Sequence, residues 1–246
     1  MPSLRAIPFM TKKPSVDDVF VASSASVIGD VKIGSSSSVW YGAIVRGDVN
    51  SISIGNNTAI CERVMVHCSG ISKKQPTVIG NNVTVKAGAI VHGCKLADGS
   101  VVGENAQVLD GAEIGTNAMI GAGSIVIEGT KVPGGQLWSG IPAAYSRDLT
   151  EAELESMRVL VEENTTYAAM HAEEDAKTWE QMIEDEFEDE QRSERNDTFW
   201  KMPPPDEMIR DDNFVQNHQV PGRILDHGIS ARNSPESRPQ GSGGQA

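Results

Sequence analysis

The segment KLADGSVVGENAQVLDGAEIGTNAMIGAGSIVIEGTKV (Lys95–Val132) decides the fold, because it carries an aliphatic residue at every sixth position. The members of this series are Leu96, Val102, Val108, Ile114, Ile120, Val126 and Val132. An amphipathic helix needs apolar residues at a spacing near 3.6, and its interior does not tolerate the glycines that follow several of these positions. A period of six is typical of short strands joined by tight turns in a parallel β-helix.

The same period extends upstream of this segment. The earlier aliphatic positions are Val27, Ile33, Val39 and Val45, then Ile54, Ile60 and Val66, then Ile79, Val85 and Val91. Three strands close one triangular coil, so residues three repeats apart stack at the inter-strand spacing of about 4.8 Å. The series of 17 repeats therefore predicts an all-β solenoid of between five and six coils.

The stacking rule brings two distant histidines together. Arg46, His67 and His92 each follow the inward valine of repeats that lie three apart, so they are predicted to form one column on the outside of the solenoid. Stacked imidazoles suit metal binding or acid–base chemistry, whereas isolated surface histidines usually do neither. Two nitrogens are one fewer than the three protein ligands of a typical catalytic zinc.

By the same rule, Cys61 and Lys86 stack on the preceding face, with Ala87 beside them. The chain has three cysteines, Cys61, Cys68 and Cys94, and no CxxC pair, which argues against a disulfide framework and favours a reducing compartment. We interpret all three as small residues that fill turns and sheet surface. The alternative, in which Cys61 is a substitute thiolate ligand, stays open.

Charge excludes some classes of function. Residues 151–197 hold 17 acidic and 4 basic residues, which accounts for the whole net charge of -13. No basic patch with interleaved aromatics predicts nucleic-acid binding, and no apolar run approaches the ~18 residues of a membrane span. The first 16 residues contain Arg5, Lys12 and Lys13 but no acid, a composition that resembles a presequence.

Four motifs resemble the γ-class carbonic anhydrases. They are VWYGAIVRGDVNSISIGNNT (Val39–Thr58), VMVHCSG (Val64–Gly70), VTVKAGAIVHGC (Val83–Cys94) and LWSGIPAAYSRDLT (Leu137–Thr150). Further on, LTEAELESM (Leu149–Met157) and YAAMHAEEDAK (Tyr167–Lys177) resemble the carbonic anhydrase-like subunits of mitochondrial respiratory complex I. This resemblance implies a left-handed β-helix that forms a trimer, with zinc at each subunit interface.

The resemblance also implies which residues hold zinc. His67 and His92 match the two histidines that one subunit contributes, and the third ligand, from the neighbouring subunit, belongs at Ala87. Because alanine cannot bind a metal, a homotrimer would lack one ligand at every interface. Zinc is therefore expected only where a different subunit completes the site, and otherwise no cofactor is expected.

Two other positions depart from the family pattern, and two more keep it. Cys61 replaces the glutamine that orients the zinc-bound hydroxide, and Ala59 replaces a nearby asparagine. No residue is therefore assigned a catalytic role. Arg46 and Asp48 match the ion pair that the family uses at its trimer interface.

The chain is divided into four predicted regions. Residues 1–15 form an N-terminal arm, 16–149 the β-helix, 150–200 an acidic α-helical segment and 201–246 an extended tail rich in proline and glycine. The run IEDEFEDEQ (Ile183–Gln191) is either an acidic face in solvent or a docking surface for a basic partner.

The helical segment has a predicted start and a predicted packing face. Thr150 and Glu153 have the spacing of a capping box. An apolar stripe follows, composed of Leu154, Met157, Leu160 and Val161 and continued by Tyr167, Met170 and His171. We expect this stripe to pack along the solenoid and His171 to be a packed helix histidine.

The leading hypothesis is a catalytically impaired accessory subunit of mitochondrial complex I, peripheral on the matrix side of the inner membrane. Its predicted partners are two other γ-carbonic anhydrase-like subunits, in a homo- or heterotrimer, and membrane-arm subunits of the complex. A second hypothesis is an active carbonic anhydrase that hydrates CO2 at a subunit interface. A third is a hexapeptide-repeat acyltransferase with His92 or His67 as the base.

Overall fold

The computed structural model describes residues 6–16, 18–70 and 75–194, with side chains described as far as residue 188. The predicted tail at 201–246 lies outside these residues, as do residues 1–5 of the predicted arm. The described part of the chain folds into short strands followed by two helices.

Twenty strands are found in the described residues. The first are β1 (Ala6–Ile7), β2 (Ser15–Val16), β3 (Val19–Val21), β4 (Ser26–Ile33), β5 (Ser37–Val39), β6 (Ile44–Ile54) and β7 (Ala59–Ile60). Next come β8 (Met65–His67), β9 (Thr77–Ile79), β10 (Thr84–Val85), β11 (Ile90–His92), β12 (Lys95–Leu96), β13 (Val101–Val102) and β14 (Gln107–Val108). The last are β15 (Glu113–Ile114), β16 (Met119–Ile120), β17 (Ile125–Val126), β18 (Lys131–Val132), β19 (Gln136–Ser139) and β20 (Ala144–Asp148), followed by helices α1 (Glu151–Ala176) and α2 (Trp179–Glu194).

The strands form two sheets that together enclose a prism. The first sheet follows the order β17-β14-β11-β8-β6-β9-β12-β15-β18, with β4 pairing with β6 and with β1 and β2. The second sheet follows the order β20-β19-β16-β13-β10-β7-β5-β3. Strand β6 turns a corner, because Ile44–Arg46 pairs with β8 whereas Ile52–Ile54 pairs with β9. The first sheet thus covers two of the three faces, and the predicted parallel β-helix is confirmed.

The core is a set of stacked aliphatic columns along the prism. One column pairs Val45, Val66, Val91, Val108 and Val126 in exact register, and all five are fully buried. Burying each such side chain stabilises the fold by roughly 1.5–3 kcal/mol. The six-residue period of the sequence is therefore the period of this core.

The solenoid has more turns than the sequence predicts. Seven of the eight strands in the second sheet run parallel and each marks one turn, since β20 alone is antiparallel to its neighbour β19. The prediction of five to six coils was too low because the period continues one step beyond each end. Val21 precedes Val27 by six residues, and Trp138 follows Val132 by six. Both pack partly buried against the core.

Left-handed backbone makes the corners of the prism tight. Asn57, Asn82, Asn105 and Asn117 all have φ between 50° and 54°, a conformation that asparagine tolerates better than most residues. At Gly99, with φ of 70°, a Cβ atom would lie 2.1 Å from Oδ1 of Asn117. The asparagines and glycines between the aliphatic positions are therefore required by the turns.

Helix α1 begins with the predicted capping box. The Glu153 N–H donates to Thr150 Oγ1 at 3.3 Å, and the Thr150 N–H donates to Glu153 Oε2 at 3.0 Å. Arg147 donates two further hydrogen bonds to the same carboxylate, at 2.7 and 2.6 Å. Chiefly because of Arg147, the pKa of Glu153 is lowered to about 2. The prediction of the helix start is confirmed.

The packed face of α1 differs in part from the predicted stripe. Met157 and Ala168 are buried, and Asn164 Nδ2 donates to Thr84 Oγ1 of the solenoid at 3.3 Å. Tyr167 and Met170, assigned to the stripe, are instead 53% and 56% exposed. Tyr167 precedes the buried Ala168, and Met170 precedes the packed His171. A step of one residue along a helix turns the side chain by about 100°, which points both side chains away from the solenoid.

Contacts divide the chain into two units, the first ending at Ala176 and the second beginning at Lys177. In the second unit, Thr178 and Gln181 cap α2: the Thr178 N–H donates to Gln181 Oε1 at 2.8 Å. The side chains of residues 183–188 are exposed.

Neither described helix is long and apolar enough to cross a membrane.

Candidate functional site

The predicted column of Arg46, His67 and His92 is confirmed by the strand register. Arg46 in β6 pairs with His67 in β8, and His67 pairs with His92 in β11. The imidazole centroids are 5.1 Å apart, close to the spacing of neighbouring parallel strands. Two histidines separated by 25 positions in sequence are therefore direct neighbours in space.

Carboxylates extend the two histidines into a continuous network. His67 Nε2 lies 2.9 Å from Asp48 Oδ1, and His67 Nδ1 lies 3.1 Å from His92 Nε2. On the far side, His92 Nδ1 contacts Asp110 Oδ1. All four side chains are largely screened from solvent, with His67 only 13% exposed. We call Asp48, His67, His92 and Asp110 the histidine network.

Every ring nitrogen of the histidine network has a contact within the chain. The two nitrogens of His67 face Asp48 and His92, and the two nitrogens of His92 face His67 and Asp110. A neutral imidazole carries a single N–H, and an ionised carboxylate can only accept a hydrogen bond. A ligand that took one of these nitrogens would therefore replace one of the three contacts.

Asp110 was not found by reasoning from the sequence. It accepts a hydrogen bond from Ser69 Oγ at 2.7 Å, which fixes its carboxylate beside His92. The signal was available, because Val108 pairs in register with Val91 and Asp110 follows Val108 by two residues. Extending the stacking rule by one more coil would have placed Leu109 on His92, with Asp110 next to it in sequence.

Arg46 and Asp48 form an ion pair within the chain. Arg46 Nε lies 3.4 Å from Asp48 Oδ2, while the other oxygen of the carboxylate faces His67. Burial acts to raise the pKa of Asp48, but the hydrogen bond from His67 and the charge of Arg46 outweigh it, so the pKa is lowered. The carboxylate is thus held in its ionised form.

Cys61, Lys86 and Ala87 lie just after strands of the second sheet, whereas the two histidines lie in strands of the first. Cys61 and Lys86 follow the paired strands β7 and β10, as the stacking rule predicted. The Lys86 ammonium is paired with Glu104, at 3.0 Å. Ala87 lies in the turn between β10 and β11. Within one chain, neither the Cys61 thiol nor Ala87 is brought to the histidines.

All three cysteines are free, yet one of them is placed differently from the other two. Burial raises the pKa of Cys61 and of Cys94 to about 12, so both thiols stay protonated. Burial raises the pKa of Cys68 as well, but this thiol lies in a group with Asp48 and His67, whose ligand atoms are all within 4.8 Å of one another. The sequence interpretation treated Cys68 as a filler and overlooked its position directly after His67.

His171 is a packed helix histidine, as predicted. Its Nδ1 lies 3.1 Å from Tyr41 Oη, and its ring contacts Trp40 edge-on at a centroid distance of 5.0 Å. Phe20 completes this aromatic cluster. The cluster fastens α1 to the solenoid and gives His171 a structural role.

Comparisons with known proteins agree with this architecture. Residues 93–128 match the family model described as bacterial transferase hexapeptide (six repeats). The chain is 43% identical to "Gamma carbonic anhydrase 2, mitochondrial" of Arabidopsis thaliana over 70% of its own length and 63% of the relative's. It is 45% identical to "Probable carbonic anhydrase" of Methanocaldococcus jannaschii, covering 57% of this chain and 87% of that protein.

A solved structure shows the same fold. The crystal structure of a hexapeptide transferase family protein from Anaplasma phagocytophilum superposes with a TM-score of 0.64 at 36% sequence identity. The superposition covers 67% of this chain and 96% of that one. The hexapeptide-repeat solenoid, the register of its two histidines and the identity to these relatives agree: the chain belongs to the γ-carbonic anhydrase family and has its left-handed β-helix fold.

Proposed function

We propose that this protein is a structural, trimer-forming subunit of mitochondrial respiratory complex I whose own carbonic anhydrase activity is impaired. The impairment rests on one observation: Ala87 stands where the family pattern has its third zinc ligand. A methyl group has no lone pair to offer a metal. A homotrimer of this chain would therefore present two histidines and no third at each interface.

The residues of the chain fit an interfacial zinc only in part. Imidazole nitrogens from His67 and His92 are suitable zinc ligands, and Asp48 and Asp110 behind the rings are the partners that orient such ligands. A complete zinc site would supply a hydroxide nucleophile by lowering the pKa of bound water to about 7. With Ala87 at the third position, a site built from this chain alone remains incomplete.

Two further substitutions weaken catalysis in the same direction. Cys61 and Ala59 occupy positions where the family pattern has polar side chains that orient the hydroxide. The Cys61 thiol, with its pKa raised to about 12 by burial, is a poor substitute for an amide. A zinc ion bound at a mixed interface would still lack these orienting groups on this chain's side.

The mitochondrial location is supported by the Arabidopsis thaliana relatives, which are named mitochondrial. The complex I assignment rests on the resemblance of residues 149–157 and 167–177. We propose that the protein is peripheral, on the matrix side of the inner membrane. The prism at 16–149 would be the rigid element, with Arg46 and Asp48 at the trimer interface. The arm at 1–15, the helical segment at 150–200 and the tail at 201–246 would contact membrane-arm subunits.

Purification and CO2-hydration assays test this proposal. The protein is expected to travel with a large membrane complex, and the full chain expressed alone is expected to be inactive with added zinc. CO2 hydration by the chain alone would overturn the impairment. Recovery of the protein from mitochondria only as a free trimer would overturn the assignment to complex I.

A second candidate function is an active carbonic anhydrase at a mixed interface. It is favoured by the intact geometry of His67 and His92, which lie 3.1 Å apart and are each backed by a carboxylate. A histidine donated by a different subunit would complete one interface of a heterotrimer. Activity in the isolated mixed trimer, but not in this chain alone, would support this function, and a mixed trimer without zinc would remove it.

A third candidate, an acyltransferase, is motivated by the Anaplasma phagocytophilum protein, which is described as a member of a hexapeptide transferase family. His92 or His67 would then act as the base for a hydroxyl or amine nucleophile. Because both rings are hydrogen-bonded to carboxylates and to each other, we rank it last. Binding of an acyl-coenzyme A to the full chain would support the acyltransferase candidate.

A further inference from the structure

We infer that a groove between helix α1 and one edge of the prism is a docking site for a basic amphipathic helix of a partner protein. The groove has a volume of about 920 Å³ and lies within the first unit of the chain, and none of its lining residues belongs to the histidine network. The inference deepens the proposed function by naming the chemistry of one partner segment, and it rests on that function only for where such a partner is met.

The position of the groove follows from how α1 packs. The packed face of α1 contains Met157, Asn164 and Ala168, which recur at spacings of seven and four and so form a narrow stripe. The groove lies alongside this stripe. Its apolar wall on α1 is formed by Leu154, Met157, Val161 and Ala169. Because Leu154 and Val161 are only half-buried, a partner could bury more of this wall.

The opposite wall of the groove is polar and comes from the turns at one edge of the prism. Asn57, Asn82 and Asn117 line it, and all three are exposed and have left-handed backbone. Asn57 Nδ2 donates to Asn82 Oδ1 at 3.3 Å, so the amides of neighbouring coils are linked along the edge. Amide oxygens accept hydrogen bonds, and lysine and arginine side chains only donate them. This wall therefore suits basic side chains that flank an apolar stripe.

The charge of the groove favours a basic partner. Asp98, Glu162 and Glu173 line it with carboxylates. Arg158 adds one basic side chain, but it is already paired with Glu155 at 2.8 Å. Glu162 and Glu173 have no ion-pair partner within the part of the chain that the structure describes. Helix α1 as a whole has eight acidic residues and one basic residue. Because complementary charge steers association and like charge opposes it, a cationic segment is the fitting partner.

The length of the groove fits a helix better than a small molecule. Its lining runs from Leu154 to Glu173 along α1, which is about 28 Å at 1.5 Å per residue. A partner helix of about 19 residues has the same length. Leucines on one face of that helix, at i, i+3, i+4 and i+7, would contact the apolar wall, and lysines or arginines beside them would reach the acidic side chains.

A synthetic peptide tests the docking site. The probe is a fluorescent peptide of about 19 residues that has leucines at this helical spacing and lysines at the other positions. Fluorescence anisotropy with the full chain is expected to show saturable binding of one peptide per chain. A scrambled peptide of the same composition, and a version with glutamate in place of lysine, are expected to bind more weakly by about tenfold or more.

Matched variants of α1 distinguish the groove from the general acidity of the helix. Glu162→Lys reverses a charge in the lining of the groove and is expected to weaken peptide binding by about tenfold or more. The neighbouring Glu163→Lys makes the same change at an exposed position outside the lining and is expected to change binding by less than about threefold. Equal losses in the two variants would mean that the peptide responds only to net charge, and the docking site would be overturned.

A second pair of variants tests the groove without a change of charge. Ala169→Trp places an indole in the groove and is expected to weaken binding by about tenfold or more, whereas Ala152→Trp, at another exposed position of α1 outside the lining, is expected to leave binding unchanged. An absence of saturable binding, or binding that Ala169→Trp does not weaken, would overturn the site. Because these measurements use the lone chain without zinc, CO2 or complex I, such a failure would leave the proposed function standing.

Discussion

Two columns of the solenoid are built by the same backbone and differ in chemistry. The first carries His67 above His92, and the second carries Cys61 above Lys86, both set by one-to-one parallel pairing of successive coils. On the first column, every polar side chain has a partner in the histidine network. On the second, Cys61 is a protonated thiol and Lys86 is paired at the surface with Glu104.

The difference teaches that the β-helix fixes where side chains stack but not what they can do. Register alone brings His67 and His92 together, and it would bring any other pair at these positions equally close. This division of side-chain chemistry between the two columns occurs with no change in the scaffold. A structural role for the protein is compatible with that division, because the prism depends on the buried aliphatic columns.

Rebuilding the second column should have the largest effect. Ala87→His combined with Cys61→Gln restores a third ligand and an orienting amide to a homotrimer. Zinc-dependent CO2 hydration is expected to rise by about 100-fold or more over the parent chain, since ligands and their orienting partners each matter strongly to a zinc centre. Stopped-flow hydration assays on the zinc-loaded trimer measure this.

The control for that experiment displaces the new imidazole by one residue. Lys86→His combined with Cys61→Gln adds the same group beside the required position and is expected to stay at the parent rate. A rebuilt trimer that binds zinc at its interfaces yet remains inactive would show that Ala87 is not what limits the activity.

Truncating one residue in each column should lower the free energy of unfolding by different amounts. His67→Ala removes one of the partners of Asp48 and one of the partners of His92 in a half-buried setting, which costs about 1–3 kcal/mol. Lys86→Ala removes an exposed ion pair, which is worth less than about 1 kcal/mol. Urea denaturation of the two variants measures both costs, and equal losses would remove the distinction between the columns.

Much of this arrangement could be predicted from the sequence because a solenoid is nearly one-dimensional. A single period of six gives the fold, and counting three repeats gives the pairing of Arg46, His67 and His92. The count of coils failed at the ends, where Val21 and Trp138 continue the period but pack only partly buried. End coils have a neighbour on one side alone, so their side chains need not be fully apolar.

The rest of the site escaped prediction because it depends on loops. Asp110 and Cys68 lie just beyond the ends of strands, where the backbone leaves the regular register and a stacking rule no longer says which way a side chain points. The helix shows the same limit, since Tyr167 is apolar but the packed face is set one residue away, at Ala168. Periodicity finds the face of a helix only to within about one residue.

The smallest expected effect is a dependence on pH carried by Asp48. Its pKa is lowered in the folded protein from 3.8, so as the pH falls the unfolded chain takes up a proton first and the folded state loses stability. This loss begins as the pH approaches 3.8 and is complete below the folded pKa. Asp48→Asn keeps an acceptor for His67 but cannot ionise, so the stability of this variant should fall less steeply with acid than that of the parent. The two falls should differ by less than about 1 kcal/mol in total.

Denaturation at pH 3 to 6 measures this difference, and Glu62→Gln, at an exposed position, is the control expected to follow the parent. Parallel curves for Asp48→Asn and the parent would mean that the Asp48–His67 contact adds nothing to folding, and the first column would then stabilise the fold no more than the second.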